Sequence, residues 1–278
     1  MITGKAKVAG VMGDPVAHSR SPVLHGGWLS RYGIDGAYVP LKVSTQNFES
    51  ALRTLPRIGF VGVNVTLPHK EKAYKLSDVL TPRAERAGAV NTVVFQEDGS
   101  ILGDNTDGFG FLENLRWRCP LFSAGTSRAV VLGAGGAARA VAAALLDAGC
   151  PHLTLVNRNI GRAETLAYAL DGPIEVRSWA EVAGSLESAG LLVNTTSLGM
   201  EGQPPLELDL DPLPRDAVVT DIVYAPLETD LLEAARERGN PVVDGFGMLL
   251  HQARPGFKAW FGIDPVVDDD LWTRMKPG

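Results

Sequence analysis

Short apolar runs alternate with segments of helical spacing along almost the whole chain. The clearest case begins at Ala129. Four apolar residues stop at Gly133, and apolar side chains then recur at Ala138, Val141, Ala142, Leu145 and Leu146 until Gly149 and Pro151. That is a strand, a glycine turn and a helix in immediate succession. Further strand-like runs at 153–157, 174–177, 191–194, 217–222 and 241–243 bring the second half to six. In the first half, 7–13, 37–43, 62–66, 90–95 and 101–102 read as strands, the last two joined at Asp98-Gly99. Helices are expected from Ser21-Pro22, with the serine as cap, to near Gly33, and from a Ser44 cap to about Leu55. Others follow His69 briefly and cover 108–115 and 245–261.

Strands alternating with helices predict an α/β protein whose sheets are mostly parallel. Six strands after residue 128 are the number in a doubly wound dinucleotide domain. The first half lacks a glycine fingerprint and reads as a separate α/β domain. At the glycine turn, Gly133 permits the sharp change of direction, Gly135 lets backbone approach a pyrophosphate, and the small Ala138 lets helix meet strand closely. The helix start adds unpaired N–H groups and partial positive charge. The next strand ends at Asn157-Arg158, with Arg162 four residues on, where a site for NAD would carry a carboxylate. Arginines there suit a 2′-phosphate, so NADP(H) is favoured.

Composition narrows the field. A chain of 278 residues, 45% hydrophobic and 21% charged, is a globular protein of one large or two modest domains. Its net charge of −6 argues against a nucleic-acid partner. Cys119 and Cys150 have no metal-ligand spacing, and a reduced cytoplasm is the expected compartment. No cleavable signal opens the chain and its longest apolar run, 140–146, is too short for a membrane. No metal site is expected, since neither HExxH nor a Cys/His pattern occurs, and no Gly-x-Ser-x-Gly marks a serine hydrolase.

Three polar clusters fall at strand ends, where open α/β sheets place ligands. Ser19 and Ser21 put two hydroxyls at a helix start, suiting a carboxylate; helix capping explains Ser21 alone. Asn64 and Thr66 alternate with apolar residues and share a strand face. Lys70 follows in the first turn of a helix, either as a solvated cation or as a proton-transfer group. Asp104, Asn105 and Asp107 lie between Gly103 and Gly108, as a turn with a helix cap or as a site; the ligand spacing of a Ca²⁺ loop is missing.

Together these residues resemble the shikimate dehydrogenase family. The resemblance runs through 18–22, 64–70, 88–92, 103–108, the glycine loop, Asn157-Arg158, 194–200, 221–224 and 244–252, in the family's order and over nearly the whole chain. It implies NADPH-dependent, reversible reduction of 3-dehydroshikimate to shikimate, a step of aromatic amino-acid biosynthesis. Ser19, Ser21 and Tyr224 would hold the substrate carboxylate, and Asn64, Thr66, Asn91 and Gln252 would read the ring hydroxyls. Lys70 and Asp107 would be the catalytic pair. The cofactor would meet Gly133, Ala134, Gly135, Gly136, Ala137, Asn157, Arg158, Asn159, Arg162, Thr195, Thr196, Ser197, Ile222, Gly245 and Met248. Asn159 stands where the family often carries Ser or Thr. The expected division is a discontinuous substrate domain, 1–107 plus 245–278, and a Rossmann domain, 108–244. Two alternatives stay open. One is a quinate/shikimate dehydrogenase of relaxed specificity, against which Ser21 rather than threonine counts. The other is a noncatalytic NADP-sensing protein, which would have no use for Lys70 with Asp107. The assembly is not readable from the sequence, a homodimer being one that it allows.

Overall fold

The computed structural model describes residues 2–276. The chain forms two compact units, Met1–Thr106 with Gln252–Asp269, and Asp107–His251 with Asp270–Gly278.

The first unit contains β1 (Lys7–Gly13), α1 (Ser21–Arg31), β2 (Gly36–Lys42), α2 (Phe48–Thr54), β3 (Phe60–Val65), α3 (Lys70–Leu76), β4 (Val79–Leu80), α4 (Pro82–Ala87), β5 (Thr92–Phe95) and β6 (Ile101–Asp104). Its sheet runs β2-β1-β3-β5-β6-β4. Parallel pairs join β1 to β2 and β3, and β4 to β6. β5 is antiparallel to both neighbours, because the Asp98-Gly99 turn sends the chain straight back into β6. The short β4 and α4 carry no periodicity long enough to read in the sequence.

The second unit contains α5 (Asp107–Arg118), β7 (Ala129–Leu132), α6 (Gly136–Asp147), β8 (Leu153–Asn157), α7 (Ile160–Leu170), β9 (Ile174–Ser178), α8 (Val182–Leu186), β10 (Leu191–Asn194), β11 (Val218–Asp221), α9 (Asp230–Glu237) and β12 (Val242–Val243). Its sheet is wholly parallel, in the order β12-β11-β10-β7-β8-β9. Numbered within the unit this is 3-2-1-4-5-6, the doubly wound arrangement. Alternate strand residues feed opposite faces. Val131, Leu155 and Val193 join Phe111, Val141 and Leu166 on one side, while Val130, Val156 and Leu192 join Leu186, Leu231 and Leu232 on the other. Burial on both faces explains why these strands read as unbroken apolar runs. Each such side chain contributes about 1.5–3 kcal/mol relative to exposure.

Two helices close the chain, α10 (Phe246–Phe261) and α11 (Asp269–Met275). The boundary within α10 falls later than the expected residue 245: through His251 it belongs to the second unit and from Gln252 to the first. Its start is fixed on the Rossmann side, where Asp244 Oδ1 accepts from the backbone N–H groups of Phe246 and Gly247. Asn114 Nδ2 also donates to the Asp244 carbonyl at 2.7 Å. Residues 270–276, expected in the first unit, likewise belong to the second, because Trp272 meets Phe246 edge-on and lies under the Arg118 guanidinium.

In the first unit, one face of the sheet is filled by Met12, Phe48, Leu52, Val63 and Val93. Elsewhere in that unit α1 and α10 interlock through aromatic rings, Trp28 lying 5.3 Å from Phe257. Trp260 donates its indole N–H to the Val93 carbonyl at 3.0 Å. The room for that ring is made at Gly62, where an added Cβ would collide with the indole nitrogen and the Val93 carbonyl. Two expected caps are absent. Helix α1 begins at Ser21 itself, its cap position being Arg20 without a side-chain capping bond, and α2 is preceded by Asn47 rather than Ser44. In each case a backbone turn does the work, as where Asn47 N–H bonds to the Ser44 carbonyl at 3.1 Å. Gly62→Ala is expected to cost roughly 2–3 kcal/mol through overpacking, read as a lower urea midpoint with an unchanged slope; an unaltered midpoint would show that Trp260 is not confined there.

Candidate active site

In the first unit the polar residues gather where β1 and β3 end and β5 begins. The register aligns Asn64 with Thr92 and Thr92 with Asp104 across three strands. Asn64 is buried, and its amide hydrogens go to the Asn91 carbonyl and to Thr92 Oγ1, both at 3.1 Å. Its Oδ1 accepts from Tyr38 at 2.6 Å. With both N–H groups committed, what Asn64 retains for a ligand is its second Oδ1 lone pair. Asn91 Oδ1 accepts from Thr92 Oγ1, from Thr106 Oγ1 and from the Thr106 backbone N–H, at 2.9–3.1 Å. Thr106, the last residue of this stretch of the unit, is thereby pinned, and Asp107 follows it in the chain at the start of α5.

Ser19 and Ser21 are half-buried, and Ser21 N–H donates to Ser19 Oγ at 3.3 Å. Because Ser21 is not a helix cap, its hydroxyl is available for other work. Thr66 lies one residue beyond β3, held through its main chain to the Met12 carbonyl and the His69 N–H. Lys70 opens α3, half-buried, and its carbonyl accepts from Val90 N–H at 3.0 Å. Its neighbour His69 is structural: Nε2 bonds to the Val43 carbonyl at 2.6 Å and the ring stacks on Phe48 at 4.4 Å. Asp104 is also structural, tied to Thr81 Oγ1 and to a two-pronged Arg83. Gln252, half-buried, lies on the α10 segment of the same unit.

In the second unit the glycine turn has the form its sequence predicts. Gly133 has φ +111°, and a Cβ there would stand 2.8 Å from Thr195 Oγ1. No protein atom lies within 4 Å of where a Cβ would project from Gly135 or Gly136. Gly135 precedes α6 without a side-chain cap, so no capping side chain occupies the helix start between Ala134 and Ala137. At the end of β8, Asn157 Nδ2 donates to the Asn159 carbonyl, and Asn159 Oδ1 caps α7 by accepting from Arg162 N–H at 3.1 Å. The Arg158 and Arg162 guanidinium groups are exposed and form no ion pair or side-chain hydrogen bond among the described residues. A cradle at a helix start, with two unpaired cations one strand away, fits a phosphorylated dinucleotide.

The opposite half of this edge is organised by Asp221, a carboxylate with no exposed surface. It accepts from Asn194 Nδ2, Val223 N–H and Thr229 Oγ1 at 2.9–3.1 Å and has no cationic partner among the described residues. Asn194 Oδ1 in turn holds the backbone and hydroxyl of Thr196. Thr195 spends its hydroxyl on the Leu132 carbonyl at 2.6 Å, so it walls the glycine turn and Ser197 alone of this trio is exposed. Gly245 fits closely against the Ile222 carbonyl, and Ile222, Met248 and Ala134 share one apolar cluster. Tyr224, half-buried, lies with its ring 6.2 Å from Phe246. Sequence reasoning missed Tyr38, Thr92, Asn194 and Asp221 as site residues. Asp221 and Asn194 stand within matched motifs, and Tyr38 is an ordinary strand residue until Asn64 is seen beside it. Among the described residues no three His, Cys, Asp or Glu side chains converge as a metal set, and no helix is long and apolar enough to cross a membrane.

A doubly wound sheet with an anion cradle, joined to a second α/β unit lined with hydroxyls and amides, defines a two-domain dinucleotide-dependent oxidoreductase. Residues 11–93 match the family model for the shikimate dehydrogenase substrate binding domain, and 120–199 match that for shikimate / quinate 5-dehydrogenase. The chain is 66% identical over 275 residues to the shikimate dehydrogenase (NADP(+)) of Rhodospirillum rubrum, covering 98% of this chain and 97% of that one. Among solved structures it resembles shikimate 5-dehydrogenase from Thermus thermophilus in complex with NADP(H) and shikimate (TM-score 0.85, 36% identity, 97% and 98% covered). Quinate dehydrogenase from Corynebacterium glutamicum in complex with NAD is also similar (TM-score 0.88, 31% identity, 97% of both chains). The chain belongs to the shikimate dehydrogenase family.

Burial pushes the Asp221 carboxyl above its ordinary value, an effect that the Val223, Asn194 and Thr229 hydrogen bonds only partly offset. The folded protein therefore holds this proton more tightly than the unfolded chain does. The stability so gained is full below the unfolded value of 3.8 and is lost as pH rises through the higher folded value. Urea unfolding of wild type and Asp221→Asn across that window should show wild type losing stability relative to the variant as pH increases. A difference independent of pH would mean that Asp221 is not buried as a charge.

Proposed function

We propose that this protein catalyses the reversible NADPH-dependent reduction of 3-dehydroshikimate to shikimate. The observation that carries the reading is the pairing, in one chain, of a hydroxyl-and-amide site with a glycine cradle flanked by the unpaired Arg158 and Arg162. Identity of 66% with a protein named shikimate dehydrogenase (NADP(+)) supports it. The similar quinate dehydrogenase bound to NAD supports a second reading, in which quinate or NAD is also accepted.

On this reading Ser19, Ser21 and Tyr224 hold the substrate carboxylate. Asn64 accepts one ring hydroxyl through its remaining lone pair, and Thr66, Asn91 and Gln252 meet the others. Arg158 and Arg162 take the 2′-phosphate, aided by Asn159 Nδ2, whose hydrogens are not used in capping α7. Gly133 to Ala137 receive the pyrophosphate, while Thr196, Ser197, Ile222, Gly245 and Met248 bound the remainder of the cofactor, with Thr195 acting as the wall behind Gly133. Bound NADPH supplies the hydride. As the ring carbonyl is reduced its oxygen gains negative charge, and Lys70 stabilises that oxygen and delivers its proton. In the reverse direction Lys70 removes the hydroxyl proton, and Asp107 orients the ammonium and the reacting hydroxyl. The two thiols, Cys119 and Cys150, are free, in keeping with a cytoplasmic enzyme.

Purified protein should oxidise shikimate with NADP⁺ faster than quinate or with NAD⁺; the opposite order would overturn the shikimate reading. Lys70→Ala is expected to lower kcat by about 10²-fold or more, with the KM for shikimate changed far less. Turnover near that of wild type would remove Lys70 from the chemistry. Arg158→Ala should weaken NADPH by roughly 10-fold or more, the scale of one charge-assisted bond, and leave NADH little affected. Equal losses for both coenzymes would show that Arg158 does not read the 2′-phosphate.

A further inference from the structure

Thr229 occupies the cap position of α9, where a threonine hydroxyl ordinarily accepts from the helix's own N–H groups. Here it makes no such bond. The hydroxyl donates instead to Asp221 Oδ2 at 2.9 Å. Asp221 Oδ1 accepts from Val223 N–H at 2.9 Å, and the Asn194 amide donates to both oxygens, at 3.0 and 3.1 Å. Asn194, Asp221, Val223 and Thr229 are all buried. One carboxylate thus receives donors from the end of β10, from the loop after β11 and from the start of α9.

These bonds are not spare. Val223 N–H and the Thr229 hydroxyl have no other acceptor among the described residues. The main chain of 222–229 is otherwise tied by Ile222 N–H to the Asn194 carbonyl at 3.1 Å and by Glu201 N–H to the Ala225 carbonyl at 2.8 Å. On its far side Asn194 accepts the N–H and hydroxyl of Thr196 and donates to the Leu198 carbonyl, at 2.8–3.1 Å. The loops 194–198 and 222–229 are therefore one hydrogen-bonded piece, with the carboxylate between them. Their place in the sheet gives that piece a use. The cradle follows β7, which lies between β8 and β10. With Arg158 and Arg162 beyond β8, a dinucleotide seated on the cradle has its adenosine half on that side. Its nicotinamide half then falls beside the ends of β10 and β11.

We propose that Asp221 is a positioning residue for the cofactor: it braces the loops that carry Thr196 and Ile222 into the shape that receives the nicotinamide half. The inference rests on the cofactor assignment made above. Asp221 has no exposed surface and acts only through the groups that it holds. Without its oxygens, an Asn194 amide hydrogen, Val223 N–H and the Thr229 hydroxyl are left buried and without an acceptor, so the loops leave their shape to reach water. Binding of NADPH then includes the reordering of both loops, a cost that a braced site does not meet. The glycine cradle, Arg158 and Arg162 hang from β7 and β8 and share none of these bonds.

Calorimetric titration without substrate separates the two halves of the cofactor. Asp221→Ala should weaken NADPH by about 10-fold, the scale of hydrogen bonds to a charged group. Adenosine 2′,5′-bisphosphate carries only the adenosine half, and its affinity should change by less than about 2-fold, as for an independent site. Asp221→Asn keeps one oxygen acceptor and should lie between wild type and Asp221→Ala for NADPH. In cofactor-free wild type the Val223 amide should be protected from hydrogen exchange, and Asp221→Ala should lose that protection. An unchanged NADPH affinity in Asp221→Ala overturns the inference. Equal weakening of both probes marks a general structural role and also overturns it, as does a wild-type Val223 amide that exchanges as fast as that of the exposed Ser197. If Asp221→Ala does not fold, the same split is read in Asp221→Asn, where no loss or an equal loss is decisive against it. A wild type that binds neither probe defeats the cofactor assignment itself, and the inference with it.

Discussion

A strand buried on both faces keeps its charged and amide side chains for its ends, because in mid-strand such a group would lose water without finding a partner. In the second unit β7, β10 and β11 are buried along their whole length, and the chemistry collects at one edge of the sheet. Gly133 follows β7, Asn157 and Arg158 close and follow β8, Asn194 closes β10 and Asp221 closes β11. In the first unit the same edge is used where β1 and β3 end, with the reversed β5 bringing Asn91 and Thr92 to it from the other direction.

Counting donors and acceptors separates residues that hold the edge together from those left to meet a ligand. Asp104, Asp221, Asp244, Asn194 and Thr195 spend their polar atoms on neighbouring loops and helix starts. Asn64 is nearly spent. Arg158, Arg162 and Ser197, by contrast, have no side-chain partner among the described residues. Several motif residues that look alike in sequence therefore do different work: Asp104, three positions before Asp107, is anchored by a two-pronged arginine and holds the loop.

The stiffness of this arrangement comes from apolar support behind the polar edge. His25, Trp28, Tyr38, Phe257 and Trp260 are aromatic neighbours within one unit, and the space they need is made by a glycine in a central strand. A hydrogen bond at the end of so confined a ring has little freedom to vary, which is how a core far from any solvent can set the geometry of a binding residue.

By itself the sequence determined the six strands of the Rossmann sheet and the helix after the glycine turn, and it singled out part of the polar set at the sheet edges, without Tyr38, Thr92, Asn194 or Asp221. Those features are local: an apolar run, a helical period and a turn glycine each act within a few residues. Tertiary structure alone decided that Ser21 and Ser44 are not caps, that β5 also pairs antiparallel with β3, and that α10 changes units within its length. It also decided that Asn64 keeps one lone pair and that Tyr38 donates to Asn64. Each of these depends on which distant atom arrives within hydrogen-bonding range, and spacing along a chain carries no record of that distance.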